Sequence, residues 1–266
     1  MKEDPRLIEG TSIKRHKRKE EHTYEKMEEM ATEKIIPKAK TIKVSPETHR
    51  LLGRYKKPEE SYSNTWEKVY GGEDWDVAIS IQQTREGGYI VAGWTKSFGS
   101  GGEDVWVLKL DAQGNLVWDK TFGGSGDERA KSIQQTSDGG YIIAGWTNSF
   151  GAGGNDIWVL KLDAQGNQLW AKTFGGSGDD KADDIKQTQD NGYIIAGLTN
   201  SFGAGSYDFW VLKLDDSGNQ IWAKTFGGSD NDQAHSVYET VNGDYIVVGC
   251  LLYTSDAADE GLGVDL

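Results

Sequence analysis

The chain has 266 residues and a formal net charge of −13, with 35 Gly, 10 Trp and 11 Tyr. So acidic a total argues against a nucleic-acid binder along its whole length, and a single cysteine, Cys250, excludes an internal disulfide. No run of about 18–20 apolar residues suits a membrane-spanning helix. The opening "MKEDPRLIEGTSIKRHKRKEEH" lacks the apolar centre of a secretory signal, so the compartment stays open.

The charge is unevenly placed. Residues 1–60 carry 16 Lys/Arg against 12 Asp/Glu, a net of +4, while the remainder carries 13 against 30, a net of −17. Two segments of different character are therefore joined. Residues 1–40, with "KRHKRKEEHTYEKMEEMATEK", read as a charged leader, either a solvated helix or disordered.

Residues 41–65 predict a short strand followed by a helix. In "TIKVS", Thr41, Lys43 and Ser45 share one face and Ile42 and Val44 the other. Ser45 then caps a helix whose first turn holds Pro46 and Glu47, and Leu51, Leu52 and Tyr55 are available for burial. The stretch "TIKVSPETHRLLGRYKKPEESYS" resembles the start of ribbon–helix–helix antitoxin-type proteins. That resemblance implies strand pairing between two chains in the DNA major groove, with Thr41, Lys43 and Ser45 facing bases. The second helix of such a protein would need Trp66–Val69, which the following repeat also claims. We assign those residues to the repeat, which makes a partly helical leader the main reading and DNA binding the alternative.

From residue 66 the sequence repeats every 52 residues. Trp66, Trp118, Trp170 and Trp222 mark the period, as do Tyr89, Tyr141, Tyr193 and Tyr245. Asp104, Asp156 and Asp208, then Trp106, Trp158 and Trp210, keep the same step. Each unit predicts four short strands; in one copy these are "KSIQQT" (131–136), "GYIIAGWT" (140–147), "DIWVLKLD" (156–163) and "NQLWAKTFG" (167–175). They are rich in β-branched and aromatic residues. The separators "SDGG" and "AQGN" place Gly or Asn where a hairpin needs positive φ. "GSGDER" is expected to link one unit to the next. "DIWVLKLD" is apolar on both faces, as for a sheet covered on both sides. The Ala144–Gly145 pair suits a position where neighbouring backbones crowd, as near a propeller axis.

Four-stranded sheets repeating at about 50 residues describe β-propeller blades. The expected fold is all-β: a propeller-like array of about 3.5 repeats over residues 66–249, with a short basic N-terminal segment. The unit resembles propeller repeats of the "TFGGSGDD…GGYIIAG…WVLKLDAQGNQLW" type, found in surface or secreted proteins. Its "LDAQGNQLW" hairpin also resembles the blade of quinoprotein and kelch-like propellers. The resemblance implies that Trp118, Trp170 and Trp222 dock one blade on the next, with Trp66, Trp106, Trp158 and Trp210 as further packing residues. Three and a half blades would leave open edges, and self-association through them is expected. Residues 250–266, "CLLYTSDAADEGLGVDL", abandon the repeat and resemble translated adapter-like endings of assembled environmental reading frames. The chain therefore reads as a fragment with a non-native end, a divergent cap being the alternative.

Chemistry-bearing motifs are sparse. There is no P-loop, nucleophile elbow, paired-cysteine site or His-rich zinc pattern. Three of the four histidines lie before residue 66 and His235 in a repeat. Asp127, Asp179, Asp180, Asp230 and Asp232 cluster in the inter-unit links and are the candidates for Ca²⁺, but their spacing matches no EF-hand. Solvated turn carboxylates are the preferred reading, with Asp104, Asp156 and Asp208 capping backbone. No cofactor and no catalytic group are predicted. The expected role is a non-enzymatic binding or scaffolding surface for protein or glycan; the alternatives are the DNA-binding regulator and a quinone- or metal-dependent propeller enzyme.

Overall fold

A computed structural model describes residues 67–251, and these form an all-β array. Fourteen strands follow in chain order. The first sheet holds β1 (Asp76–Gln83), β2 (Tyr89–Thr95), β3 (Asp104–Leu110) and β4 (Leu116–Phe122). The second holds β5 (Glu128–Gln135), β6 (Tyr141–Thr147), β7 (Asp156–Leu162) and β8 (Gln168–Phe174). The third holds β9 (Asp180–Gln187), β10 (Tyr193–Thr199), β11 (Asp208–Leu214) and β12 (Gln220–Phe226). Only two strands, β13 (Gln233–Glu239) and β14 (Tyr245–Cys250), make the fourth. Every sheet is an antiparallel meander with the strands in chain order, and the array is open at both ends among the described residues.

Turn chemistry sets this topology. Thr136 donates its N–H to Gly140 O and accepts from Gly139, closing the tight link from β5 to β6. Gly139 takes φ 84° there, and Asn191 takes φ 65° at the same place in the third sheet, the left-handed region these two residue types tolerate best. In the outer hairpins Asp163 Oδ1 accepts from the Gln165 and Asn167 N–H groups, and Asp111 and Asp215 repeat the pattern.

Between the sheets lie three apolar layers. Ile90, Ala92, Val105 and Val107 of the first sheet meet Ala130, Ile133, Tyr141 and Ile143 of the second. Ile142, Ala144, Ile157 and Val159 then meet Ala182, Ile185, Tyr193 and Ile195. Ile194, Ala196, Phe209 and Val211 meet Ala234 and Val237. Each middle strand thus gives alternate residues to two layers, which is why β7 is buried along its whole length. The docking tryptophans sit at the outer edge of these layers. Trp118, Trp170 and Trp222 lie edge-on to Tyr141, Tyr193 and Tyr245 of the next sheet, with centroids 5.9 Å apart in each case. Gly166 lies beneath Trp118, where a Cβ would come within 2.9 Å of the indole. Trp106, Trp158 and Trp210 are buried within β3, β7 and β11 and lie tilted against Phe98, Phe150 and Phe202 at 5.9, 5.6 and 5.3 Å. Trp66 lies outside the described residues.

Two local expectations change. β5 starts at Glu128, so Glu128 and Arg129 belong to the strand and not to the linker. Hydropathy hides this start because its first residue is a buried carboxylate held by hydrogen bonds. The crowding at Gly145 also has another source. A Cβ there would strike the Arg129 carbonyl of β5 in the same sheet, opposite a β-bulge between Ala130 and Ser132, and not a neighbouring blade's backbone.

Candidate functional site

The four first strands, β1, β5, β9 and β13, lie side by side across the sheets and are tied by side chains. Gln82 Oε1 accepts the Gln135 N–H at 2.6 Å and Gln134 Oε1 accepts the Gln187 N–H at 2.7 Å. Gln135, Gln187 and Glu239 accept from the backbone of Arg85, Ser137 and Gln189 at 2.9, 2.7 and 2.7 Å. Asp184 is the centre of this seam. Its buried carboxylate accepts from Ser132 Oγ (2.8 Å), Ser236 Oγ (2.9 Å), Lys186 Nζ (2.6 Å) and the Val237 N–H (3.2 Å), so it joins β5, β9 and β13.

Each of these strands also carries a bulge. The register skips one residue between Ala78 and Ser80, Ala130 and Ser132, Ala182 and Asp184, and Ala234 and Ser236. The extra residue is Ile79, Lys131, Asp183 and His235 in turn. A bulged residue is freed from the ladder and its side chain is re-aimed, a device common beside binding sites. The row is chemically mixed: apolar, cationic, anionic, then imidazole. His235 Nδ1 lies 3.3 Å from Asp183 Oδ2, which also accepts from Gln233 Nε2 at 2.5 Å.

Beside the row runs a cationic and aromatic ladder. The Arg129 guanidinium lies 4.7 Å from the Trp94 ring centroid and 5.3 Å from that of Trp146, and Lys181 Nζ lies 5.5 Å from Trp146. Arg129 is paired with the buried Glu103, which Lys96 approaches at 3.3 Å.

The acidic links hold the sheets together. Asp127 Oδ1 accepts the Glu103 N–H and Asp179 Oδ1 accepts the Asn155 N–H, each at 2.9 Å. Asp180 is buried and accepts from Thr199 Oγ1, Ser201 Oγ and the Gly176 N–H. Asp232 is buried and accepts the Gly228 N–H at 2.8 Å. Asp230 alone of the five is exposed. The reading of these residues as solvated turn carboxylates therefore fails at Asp180 and Asp232. Among the described residues, no group of three or more His, Cys, Asp or Glu is placed to hold a metal ion.

Asp104, Asp156 and Asp208 do cap backbone, accepting from Ser100, Ala152 and Ala204 four residues earlier. They also face a second carboxylate. Asp104 and Glu128 converge on Gly123, Asp156 and Asp180 on Gly175, and Asp208 and Asp232 on Gly227. Burial, with the neighbouring carboxylate adding to it, pushes the Asp104, Asp156 and Asp208 carboxyls up. Asp138 and Asp190 go the other way. Burial opposes their ionisation, but donation from Lys161 and Thr136 to Asp138, and from Thr188 and Lys213 to Asp190, holds both at about 2.

A separate groove of about 520 Å³ opens between the outer strands of the first two sheets, lined by Phe122, Phe150, Trp158 and Ala171 among others. Thr41, Lys43 and Ser45 lie outside the described residues. The sequence pattern alone did not single out Lys131 or the bulge at Asp183. Their signal was their failure to repeat: at a fixed 52-residue step each copy puts a different residue there.

No family model matches the chain. Over 175 residues it is 26% identical to Regulatory protein FlaEY of Caulobacter vibrioides; the match takes in 56% of this chain and 18% of that protein. The chain thus spans less than a fifth of that relative's length. A structure of Sqt1 from Chaetomium thermophilum aligns with 65% of this chain and 40% of its own at 11% identity, with a TM-score of 0.39.

Proposed function

We propose that the chain is a non-enzymatic binding module that presents a protein or glycan ligand with the bulged row Ile79, Lys131, Asp183 and His235 and the adjoining Trp94–Arg129–Trp146–Lys181 ladder. The observation that carries this is where the copies diverge. β2, β6 and β10 read "YIVAGWT", "YIIAGWT" and "YIIAGLT"; β3, β7 and β11 read "DVWVLKL", "DIWVLKL" and "DFWVLKL". The first strands read "DVAISIQQ", "ERAKSIQQ", "DKADDIKQ" and "QAHSVYE". A scaffold position recurs because the same contact recurs in every sheet. A position that departs from its copies while pointing away from the ladder is released from packing and available to recognition. Charges of both signs next to indole rings suit a partner that offers both polar groups and an apolar face.

The test is binding of the full chain to peptide and glycan arrays, beside a variant carrying Lys131→Ala, Asp183→Ala and His235→Ala. The reading expects discrete hits in one class, weakened at least tenfold in a variant that still melts cooperatively. Hits that survive the triple substitution at full strength would move the surface elsewhere.

A further inference from the structure

The layer between sheets recurs three times inside the chain, and its two complementary halves are both left open at the ends. On the trailing side of each sheet, the second strand offers Ile90, Ile142 and Ile194, followed two residues later by Ala92, Ala144 and Ala196; all six are 0% exposed. The same positions of the last hairpin are Ile246 and Val248, which are 53% and 61% exposed. On the leading side, the first strand offers Ile133, Ile185 and Val237, at 5%, 0% and 1%. The corresponding residue of the first sheet, Ile81, is 41% exposed, and Ala78, the counterpart of the buried Ala130, Ala182 and Ala234, is also exposed.

The open areas match in extent as well as in type. Only the inner part of the first sheet's leading face is bare. Its outer part, with Tyr89, Val91, Trp106, Leu108 and Leu110, clusters with Tyr70. Residues 67–70 occupy the place that an outer strand of a preceding sheet would take. The Tyr70 hydroxyl donates to the Gly114 carbonyl, and Lys68 Nζ reaches Asn115 Oδ1 at 3.3 Å, as Lys172 Nζ reaches Asn219 Oδ1 at 3.4 Å between the second and third sheets. The last sheet, conversely, consists of its two inner strands alone. A polar contact is left over in the same sense. Gln135, Gln187 and Glu239 each accept a backbone N–H from the preceding sheet, and the next members of that series are the Val241 N–H at one end and the Gln83 side chain at the other.

The geometry points to a second copy of this chain as the occupant: β13–β14 of one copy seats on the bare inner face of β1 in the other, repeating the internal layer in a head-to-tail contact. The half-sheet of one copy and residues 67–70 of the other then supply the first, second and fourth strand positions of a composite sheet; the third is filled by neither. Head-to-tail contacts close only when the rotation permits. Counting the described residues alone, three complete sheets and one composite sheet from each of two copies fall within the roughly four to eight blades that close a propeller, so the expected product for this chain is a closed two-copy ring.

Light scattering coupled to size exclusion on the full chain, from about 1 to 100 µM, reads this directly. The expected mass is twice the 29.3 kDa of the chain. Val248→Lys removes the tail and Ile81→Lys the head; both positions are exposed, so each variant should still unfold cooperatively, as a monomer, and lose the doubled mass together with any stability the pairing adds. Mixing the two variants restores a 1:1 pair, because one intact head still meets one intact tail. A monomeric parent at 100 µM overturns the inference. So does an oligomer untouched by either substitution, or a mixture in which the two variants fail to pair.

Discussion

The first strand of each unit and the three that follow it obey different rules, although they share one sheet. β2 and β3 recur almost unchanged because they face the same apolar neighbours in every copy, and the more exposed β4 recurs chiefly at the tryptophan that docks on the next sheet. The first strand meets its counterparts through glutamine and aspartate side chains and carries a bulge. Packing dictates Ala130 and Ile133 there, and leaves Lys131 to something else. Repetition in a solenoid or propeller marks what is structural; the proposed surface is drawn from the interruptions.

That contrast can be broken most severely from its structural side. Ile142→Ala empties a wholly buried position between two sheets and should cost about 2–5 kcal/mol, read as a lower midpoint in urea. Gly145→Ala should cost roughly 1–3 kcal/mol, because the new methyl meets the Arg129 carbonyl and β5 must shift. A smaller effect of opposite sign is expected from Asp208→Asn. The amide keeps an acceptor for Ala204 and turns a donor toward Asp232, which removes a like-charge neighbour; the melting temperature at pH 7 should rise by roughly 2–4 °C. Smallest of all, Lys131→Ala should stay within about 0.5 kcal/mol of the parent, while Asp183→Ala, which gives up the hydrogen bond from Gln233 and the contact with His235, should cost roughly 0.5–1.5 kcal/mol. If either matched Ile142→Ala, the division between scaffold and recognition strands would collapse.

The carboxylates set a pH dependence with two opposing parts. Asp104, Asp156 and Asp208 have folded pKa values above the 3.8 of a free side chain. The folded state then binds more protons, and stability falls as pH rises through the interval above 3.8. Asp138 and Asp190 are held at about 2, so their contribution is present above 3.8 and is lost as pH falls from there toward 2. Thermal melts should therefore peak in mildly acidic buffer and drop on both sides. Asp156→Asn together with Asp208→Asn should flatten the alkaline side alone.

Much of this was legible in the residues themselves. The 52-residue period, the meander of four strands and the turn positions of Gly139 and Asn191 all follow from patterns of Gly, Asn and alternating apolar residues. The start of β5 was not legible, because Glu128 reads as loop until its partners Thr147 and Gly124 are placed beside it. Nor was the burial of Asp180 and Asp232, for the same reason: hydropathy scores a carboxylate by type, while its burial depends on donors about twenty residues away or across a turn. The candidate site was hidden by the method that found the fold, since a search for agreement between copies discards the positions where they disagree.

The links between sheets carry one more consequence. Glu128, Asp180 and Asp232 each accept the amide N–H four residues before them, from Gly124, Gly176 and Gly228, so the passage from one sheet to the next shares one turn at every step. Excising residues 123–174 would join Phe122 to Gly175 and recreate a junction the chain already contains. The layer, turn and docking-tryptophan contacts would survive, fewer in number. An architecture built on such interchangeable seams can gain or shed whole sheets by recombination within its own coding sequence, so that the count of sheets becomes a heritable variable, separate from the identity of any one of them.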